Sequence, residues 1–209
     1  MIELHPDQLR LLQCYSRDLS YHSIYHPLEL LELHMTGKTR GIELPRYENT
    51  LGPWENEVIV SAIIAHDVVY VPGAPKGENE QRSYEKWCEV DSMSQVDSFN
   101  QAVKTLILAT ASHQMDREYE WFERPLVAHM IDLDMSVLGA DKAEFDRNSW
   151  NVAKELVMNG VYTPDQVLRG RLKFYESVLK QDRIYFTDQF YDALEVKARK
   201  NMGFELDRG

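Results

Sequence analysis

The stretch Val58-Ile59-Val60-Ser61-Ala62-Ile63-Ile64-Ala65-His66-Asp67 is an apolar run that ends in two ionisable residues. Its length and the polar residues that precede it predict a buried helix over about 55–70. Burying an imidazole or a carboxylate is costly unless the group is paired or binds something. His66 and Asp67 are therefore either a core histidine paired with its neighbour, which is the default for the pair alone, or part of a binding site.

The segments on either side of this run also show helical periodicity. Apolar residues recur at a spacing of three or four, and strand-like alternation is scarce. Thr163-Pro164-Asp165 is a typical helix start, with an N-cap followed by proline. We predict an all-α domain over residues 1–209, with two loops at 40–53 and 71–77. The helices are expected at about 9–15, 25–35, 55–70, 78–90, 98–113, 123–138, 141–158, 163–181 and 187–206.

Composition narrows the function classes. The chain is 44% hydrophobic and 27% charged, which is typical of globular domains, and its net charge is −11. Long nucleic acid and anionic membranes bind basic faces, so we expect neither as a partner. Cys14 and Cys88 form no disulfide framework, and we see no signal peptide in Met1-Ile2-Glu3-Leu4-His5, so a cytoplasmic location is expected. A homo-oligomer is one possibility, because the sequence does not show whether an apolar helix face packs in the core or against a second copy of the chain.

A second histidine and two aspartates extend the His66-Asp67 pair. His26 lies upstream, and Asp132 and Asp134 lie downstream. Nitrogen and oxygen ligands together suit a divalent ion such as Mn, Co, Fe, Ni or Zn, with Mg also open. Each piece alone has a simpler interpretation, such as a core histidine or a helix-capping aspartate.

The combination of these pieces in this order resembles the predicted metal-dependent phosphohydrolases of the HD superfamily. The resemblance spans most of the chain and implies an HD-type helical bundle, with a metal-site core at about 21–140 and extra C-terminal helices at about 141–209. The matching pieces are Tyr21-His22 with His26, Ala65-His66-Asp67-Val68-Val69-Tyr70, Asn79-Glu80 with Ser83, Thr110 with His113, Asp132-Leu133-Asp134-Met135-Ser136-Val137-Leu138-Gly139, Gly170-Arg171, Ile184-Tyr185, and Glu195 with Ala198-Arg199 and Asn201.

The resemblance implies that His26, His66, Asp67 and one late aspartate ligate the metal. We prefer Asp134, because Asp132 lies two residues earlier and about 200° around a regular helix. Asp132 is the alternative ligand, or it orients a ligand histidine.

The same resemblance suggests residues that act on the substrate. Asp67, His113 and Glu80 are the catalytic candidates, although His113 also suits a helix end and Glu80 an acidic helix start. The substrate-binding candidates are His22, Lys76, Asn79 and Arg82. Further along, Arg169, Arg171 and Arg199 are either a phosphate clamp or structural ties, and we favour the structural role.

The implied activity is hydrolysis of a phosphate ester or anhydride by a metal-bound hydroxide. The substrate would be a nucleotide or another small phosphorylated metabolite. Two alternatives remain: an HD-type di-iron oxygenase, for which only His113 and His129 could add ligands before Asp132, and a non-catalytic protein that keeps the metal as a staple. The chain departs from the family at Leu19-Ser20, where an arginine is usual, and at Ala153-Lys154-Glu155-Leu156. Both departures affect substrate recognition more than fold.

Overall fold

The computed structural model describes residues 4–45, 47–90, 97–115, 119 and 123–208. Within these residues the protein is all-α, as predicted, with a two-stranded antiparallel hairpin of β1 (Lys38–Thr39) and β2 (Ile42–Glu43). Residues 1–3, which include the start of the segment inspected for a signal peptide, lie outside the described part. The helices are α1 (Pro6–Leu12), α2 (Tyr25–Thr36), α3 (Pro53–Ala65), α4 (Glu78–Val90), α5 (Asp97–Ala109), α6 (Arg124–Met135), the 3-10 helix Ser136–Gly139, α7 (Lys142–Met158), α8 (Pro164–Leu179) and α9 (Asp188–Leu206).

Helix α3 is the centre of the fold. Every residue from Val58 to Ala65 is buried, because α1, α2, α4, α5 and α6 all pack around this helix. A helix that is apolar on all sides is stable only in such a surrounded position. The core cluster continues from Leu11 to Met202, so the C-terminal helices share it with α3.

Helix α9 joins the C-terminal helices to this centre. It packs closely along the 3-10 helix that follows α6. At the contact, a Cβ added to Gly139 would lie 2.6 Å from the Cβ of Leu194. A residue without a side chain is therefore needed for the two backbones to approach this closely.

The end of α3 differs from the prediction. The helix stops at Ala65 instead of near Tyr70, although Val68 and Val69 continue the apolar run. Side chains of α4 explain this, because Ser83 bonds both the N–H and the C=O of Val69. Asn79 does the same for Val71. The backbone is thus satisfied without further helical turns.

The other differences are small. Helix α1 begins and ends about three residues early, α5 stops at Ala109, and the predicted α6 tightens into 3-10 turns after Met135. The β1–β2 hairpin begins just before the predicted loop at 40–53 and extends into it. It follows Gly37, which ends α2 in a left-handed conformation (φ 69°). In the described residues, no helix combines the length and the apolar character that crossing a bilayer requires.

Candidate metal centre

Three helices bring four predicted ligands together. His26 is in the first turn of α2, His66 caps the C-terminus of α3, Asp67 follows it, and Asp134 lies in the last turn of α6. We call these four residues the His–Asp cluster. Because α2 and α6 both pack on α3, residues separated by more than a hundred positions reach one point.

The distances in the His–Asp cluster match the space around one ion. The Nε2 atoms of His26 and His66 are 3.2 Å apart, and Asp67 Oδ2 is 3.1 Å from His66 Nε2 and 3.6 Å from His26 Nε2. Asp134 Oδ1 is 3.2 Å from His26 Nε2 and 3.6 Å from His66 Nε2. Ligand atoms about 2.1 Å from a cation are separated by about 3.0 Å at right angles and about 3.4 Å in a tetrahedron. His26, His66 and Asp67 are therefore spaced so that they could hold one metal ion, and Asp134 lies beside both histidines.

The protonation of His66 also fits a metal. Its Nδ1 lies 2.9 Å from the carbonyl oxygen of Ile63, which only accepts, so Nδ1 carries an N–H and Nε2 is the nitrogen whose lone pair becomes free for a metal when its proton leaves. That lone pair points at His26 Nε2 and at two carboxylate oxygens. Convergent lone pairs repel each other unless a proton or a cation lies between them. The ligand types and this tautomer thus suit a borderline divalent ion.

Electrostatics within the His–Asp cluster is correspondingly strong. Burial lowers the pKa of His66, but Asp67 and Asp134 outweigh it and hold the value well above that of a free imidazole. Burial raises the pKa of Asp67, yet His66, His22 and His26 keep it below the usual range. Asp134 behaves similarly, because hydrogen bonds with histidines lower its pKa against the effect of burial. Both carboxylates are therefore ionised and can bind a cation at neutral pH.

Asp132 lies on another side of α6 and does not face this site. Its oxygens accept hydrogen bonds of 2.7 Å from the backbone N–H groups of Phe186 and Thr187 and from the Thr187 hydroxyl. Burial raises the pKa of Asp132 to about 7 against these bonds. The alternative assignment of Asp132 as ligand or histidine partner is thus not what the geometry shows. The residue instead holds the backbone of residues 186–187, which lead into α9.

His22 lines the site and is held by Glu155, a residue that the sequence reading did not assign a role. Glu155 accepts hydrogen bonds from the backbone N–H groups of Tyr21 and His22, and its Oε2 lies 2.7 Å from His22 Nδ1. His22 also stacks on Tyr70, with ring centroids 3.5 Å apart. These contacts leave His22 Nε2 directed toward Asp67, 3.9 Å from Oδ2. The one sequence signal for Glu155 was its place in a segment that departs from the family pattern.

His113 contacts the second oxygen of Asp134. Its Nε2 is 2.8 Å from Asp134 Oδ2, while Oδ1 faces the histidine ligands. The backbone of His113 has a φ of 52°, a left-handed conformation that residues other than glycine rarely adopt. Such strain is found where the surrounding structure fixes a side chain for function. His113 is therefore placed to orient the carboxylate of Asp134, a candidate metal ligand.

A cavity of about 650 Å³ adjoins the His–Asp cluster. Asp67, Asp134, His22 and His113 line its inner end, and α7 and α8 form much of the remaining wall. Glu80 on α4 also lines it, so this predicted catalytic carboxylate is available to a bound molecule. A cavity of this size is typical of small-molecule sites.

Three predicted substrate-binding residues are elsewhere. Lys76 is exposed, Arg82 pairs with Glu78, and Asn79 bonds the backbone of Val71. None of the three is among the cavity-lining residues in the part of the chain that the structure describes. Their nearness in sequence to Asp67 does not bring them to the site, because Lys76 lies exposed in the loop before α4, and Asn79 and Arg82 on α4 face that loop and the surface.

Two of the C-terminal arginines, Arg199 and Arg171, have different surroundings. Arg199 bonds Glu195 and the carbonyl oxygens of Leu179 and Gln181, so it ties the last helices together as we favoured. Arg171 instead lines the cavity.

His129 contacts His34, with 3.0 Å between His129 Nε2 and His34 Nδ1, and it packs on Phe190 in the core. Of the two histidines available for additional ligands, only His113 therefore lies beside the His–Asp cluster.

Comparison with known proteins yields no match: no family model fits the sequence, and no curated protein matches it. The geometry of the site is therefore the basis for a functional conclusion.

Proposed function

We propose that this protein is an HD-type, metal-dependent phosphohydrolase that cleaves a phosphate ester or anhydride of a small phosphorylated metabolite, such as a nucleotide. The observation that carries this proposal is the His–Asp cluster beside the cavity. The Nε2 atoms of His26 and His66 are 3.2 Å apart, and one carboxylate oxygen each of Asp67 and Asp134 lies 3.1–3.6 Å from both of these nitrogens. The order of the ligands along the chain is that of the HD resemblance described above.

The four ligands explain how the reaction would be supported. A divalent ion bound there would lower the pKa of a bound water and polarise a phosphoryl oxygen. The protein supplies the correct ligand orientation, because Ile63 fixes the ring of His66 and His113 fixes the carboxylate of Asp134. Hydrogen bonds of this kind to ligand side chains raise metal affinity and hold the geometry.

Proton transfer is assigned to groups on the cavity wall. Glu155 accepts a hydrogen bond from the Nδ1–H of His22, and this contact leaves Nε2 as the ring nitrogen directed toward Asp67. A water molecule attacking between His22 and the phosphate would pass its proton to this nitrogen. Glu80 is a second acceptor on the same wall.

The test is Asp67→Ala, with the exposed Asp192→Ala as the matched control. Metal content is measured by mass spectrometry, and phosphate release is measured over a panel of nucleoside and sugar phosphates with Mn²⁺, Co²⁺, Mg²⁺ and Fe²⁺. Asp67→Ala should lose bound metal and phosphate release together, whereas Asp192→Ala should keep both. A folded Asp67→Ala variant that is fully metallated and active would refute the ligand assignment.

The same measurements distinguish the alternatives. Bound iron with oxygen consumption and without phosphate release would replace the proposal by an oxygenase. A metallated wild-type protein that consumes no oxygen and releases no phosphate from any member of the panel would leave the metal as a structural staple.

A further inference from the structure

The cavity extends well beyond the metal centre. From Asp67 and Asp134 it continues to α7 and α8, and its volume is about 650 Å³. Pockets of this size enclose whole small molecules, whereas a phosphate group needs only a small part of this space. The part away from the His–Asp cluster must therefore receive the group to which the phosphate is attached.

The wall formed by α7 and α8 is mainly apolar. It includes Val152, Ala153, Leu156, Val167 and Phe174. Apolar walls favour apolar ligand surface and bind sugars or polyols weakly, because hydroxyl groups lose their water there without gaining partners. The attached group is thus expected to be largely apolar.

Charge limits the number of phosphates. Among the described residues that line the cavity, Arg171 is the single lysine or arginine, whereas Asp67, Glu80 and Asp134 are acidic. A polyphosphate or bisphosphate would bring several additional negative charges that this wall cannot neutralise. The cavity therefore fits one phosphate at the metal centre.

Arg171 has unused hydrogen-bonding capacity. Its Nε is buried without a hydrogen-bond partner, and its Nη1 makes one long contact of 3.4 Å with the carbonyl oxygen of Ser149. Within the described ranges, no carboxylate lies within 4 Å of its guanidinium nitrogens. Arg171 lines the cavity with a guanidinium group whose one hydrogen bond is long, so an acceptor oxygen on a ligand would form a charge-assisted hydrogen bond with its Nη atoms.

We propose that the α7–α8 wall is a leaving-group subsite for phosphomonoesters with an apolar body that carries a carboxylate or carbonyl oxygen for Arg171. This subsite rests on the proposed function, because that function places the phosphate at the His–Asp cluster. It makes Arg171 a determinant of substrate choice and excludes multiply phosphorylated polyols.

The test uses four probes with the Mn²⁺-loaded protein: phenyl phosphate, 4-carboxyphenyl phosphate, inorganic phosphate and fructose 1,6-bisphosphate. Calorimetry gives the Kd of each, and phosphate release gives kcat/KM for the three esters. Phenyl phosphate should bind about 10-fold more tightly than inorganic phosphate or the bisphosphate, and the carboxylate should add about 10-fold. Repeating the titrations after chelation of Mn²⁺ separates binding by the wall from binding by the ion.

Two variants locate the effect. Arg171→Met should remove most of the preference for 4-carboxyphenyl over phenyl phosphate. Gly170→Leu introduces a side chain at a cavity-lining position of α8 where a Cβ meets no atom within 4 Å, and Gly170→Ala is its control. Leucine should reduce the preference for phenyl phosphate over inorganic phosphate, whereas alanine should keep it.

The outcomes separate this proposal from the general one. Equal binding of phenyl and inorganic phosphate, or a carboxylate preference that Arg171→Met leaves unchanged, would refute the subsite even in an active hydrolase. The expected affinities, without phosphate release from any of these esters or from the panel of nucleoside and sugar phosphates, would keep the binding subsite and refute the hydrolase.

Discussion

Gly139→Ala tests how tightly the C-terminal helices must join the metal-site helices. Gly139 ends the 3-10 helix that continues α6, and α9 crosses it directly. An added Cβ would lie 2.6 Å from Leu194 Cβ, 2.9 Å from the Leu194 carbonyl oxygen and 2.9 Å from the Tyr185 hydroxyl. Contacts below 3.0 Å require movement, and the carbonyl is part of the backbone of α9, so α9 itself must shift.

The size of the effect follows from these contacts. Overpacking a filled core costs about 1–3 kcal/mol, and a clash with helix backbone belongs in the middle of that range or above it. We expect a loss of about 2 kcal/mol in the free energy of unfolding, which for a chain of this length lowers Tm by about 4–8 °C. Thermal and urea unfolding followed by circular dichroism measure both quantities.

Gly203→Ala is the matched control within α9. A Cβ at Gly203 meets no atom within 4 Å, so the substitution should stabilise the helix by about 0.5–1 kcal/mol. The reasoning would be refuted if Gly139→Ala were as stable as the wild type, or if both glycine substitutions changed stability in the same direction.

Three further predictions concern single side chains. Because His113 has a φ of 52°, His113→Gly should be about 1 kcal/mol more stable than His113→Ala in urea unfolding, and the opposite order would contradict the strain. Burial and His34 lower the pKa of His129 to about 3, and burial also lowers the pKa of His34. The unfolded state therefore binds more protons, and the free energy of unfolding should fall by about 2 kcal/mol from pH 7 to pH 5 through His129 alone, with a further fall from His34. His129→Asn should make this pH dependence shallower, and an unchanged slope would assign it to other groups. Glu155→Gln should lower kcat about 10-fold without loss of bound metal, because Glu155 holds His22 and none of the four residues of the His–Asp cluster. If bound metal were lost together with activity, Glu155 would instead be needed for metal binding.

Periodicity in the sequence predicted most of the fold, because helix formation depends on local apolar spacing. The sequence Thr163-Pro164 predicted the start of α8, where Thr163 forms a capping box in the structure. The end of α3 could not be predicted, because the backbone that follows it is hydrogen-bonded by the side chains of Ser83 and Asn79 on α4. Contacts of that kind carry no signal in the apolar pattern near residue 70.

In the candidate site, too, some residues could be predicted from the sequence and others could not. Histidine and aspartate types in a recognisable order pointed to the His–Asp cluster. Glu155 and Arg171 lie far from that motif, and only the packing of α7 and α8 beside the cavity reveals their positions. Conversely, Lys76 is close to Asp67 in sequence but is directed into solvent. Proximity in sequence is thus a poor guide to substrate contacts where a loop leads away from the site.

The two carboxylates of α6 have a consequence for how this chain can change during evolution. Asp132 is bonded to the start of α9, and Asp134 faces the histidines from the opposite side of the same turn. Each residue advances a helix by about 100°, so inserting or deleting one residue between them would turn one carboxylate away from its partners. We expect related chains to vary in loop length elsewhere while keeping this two-residue interval unchanged.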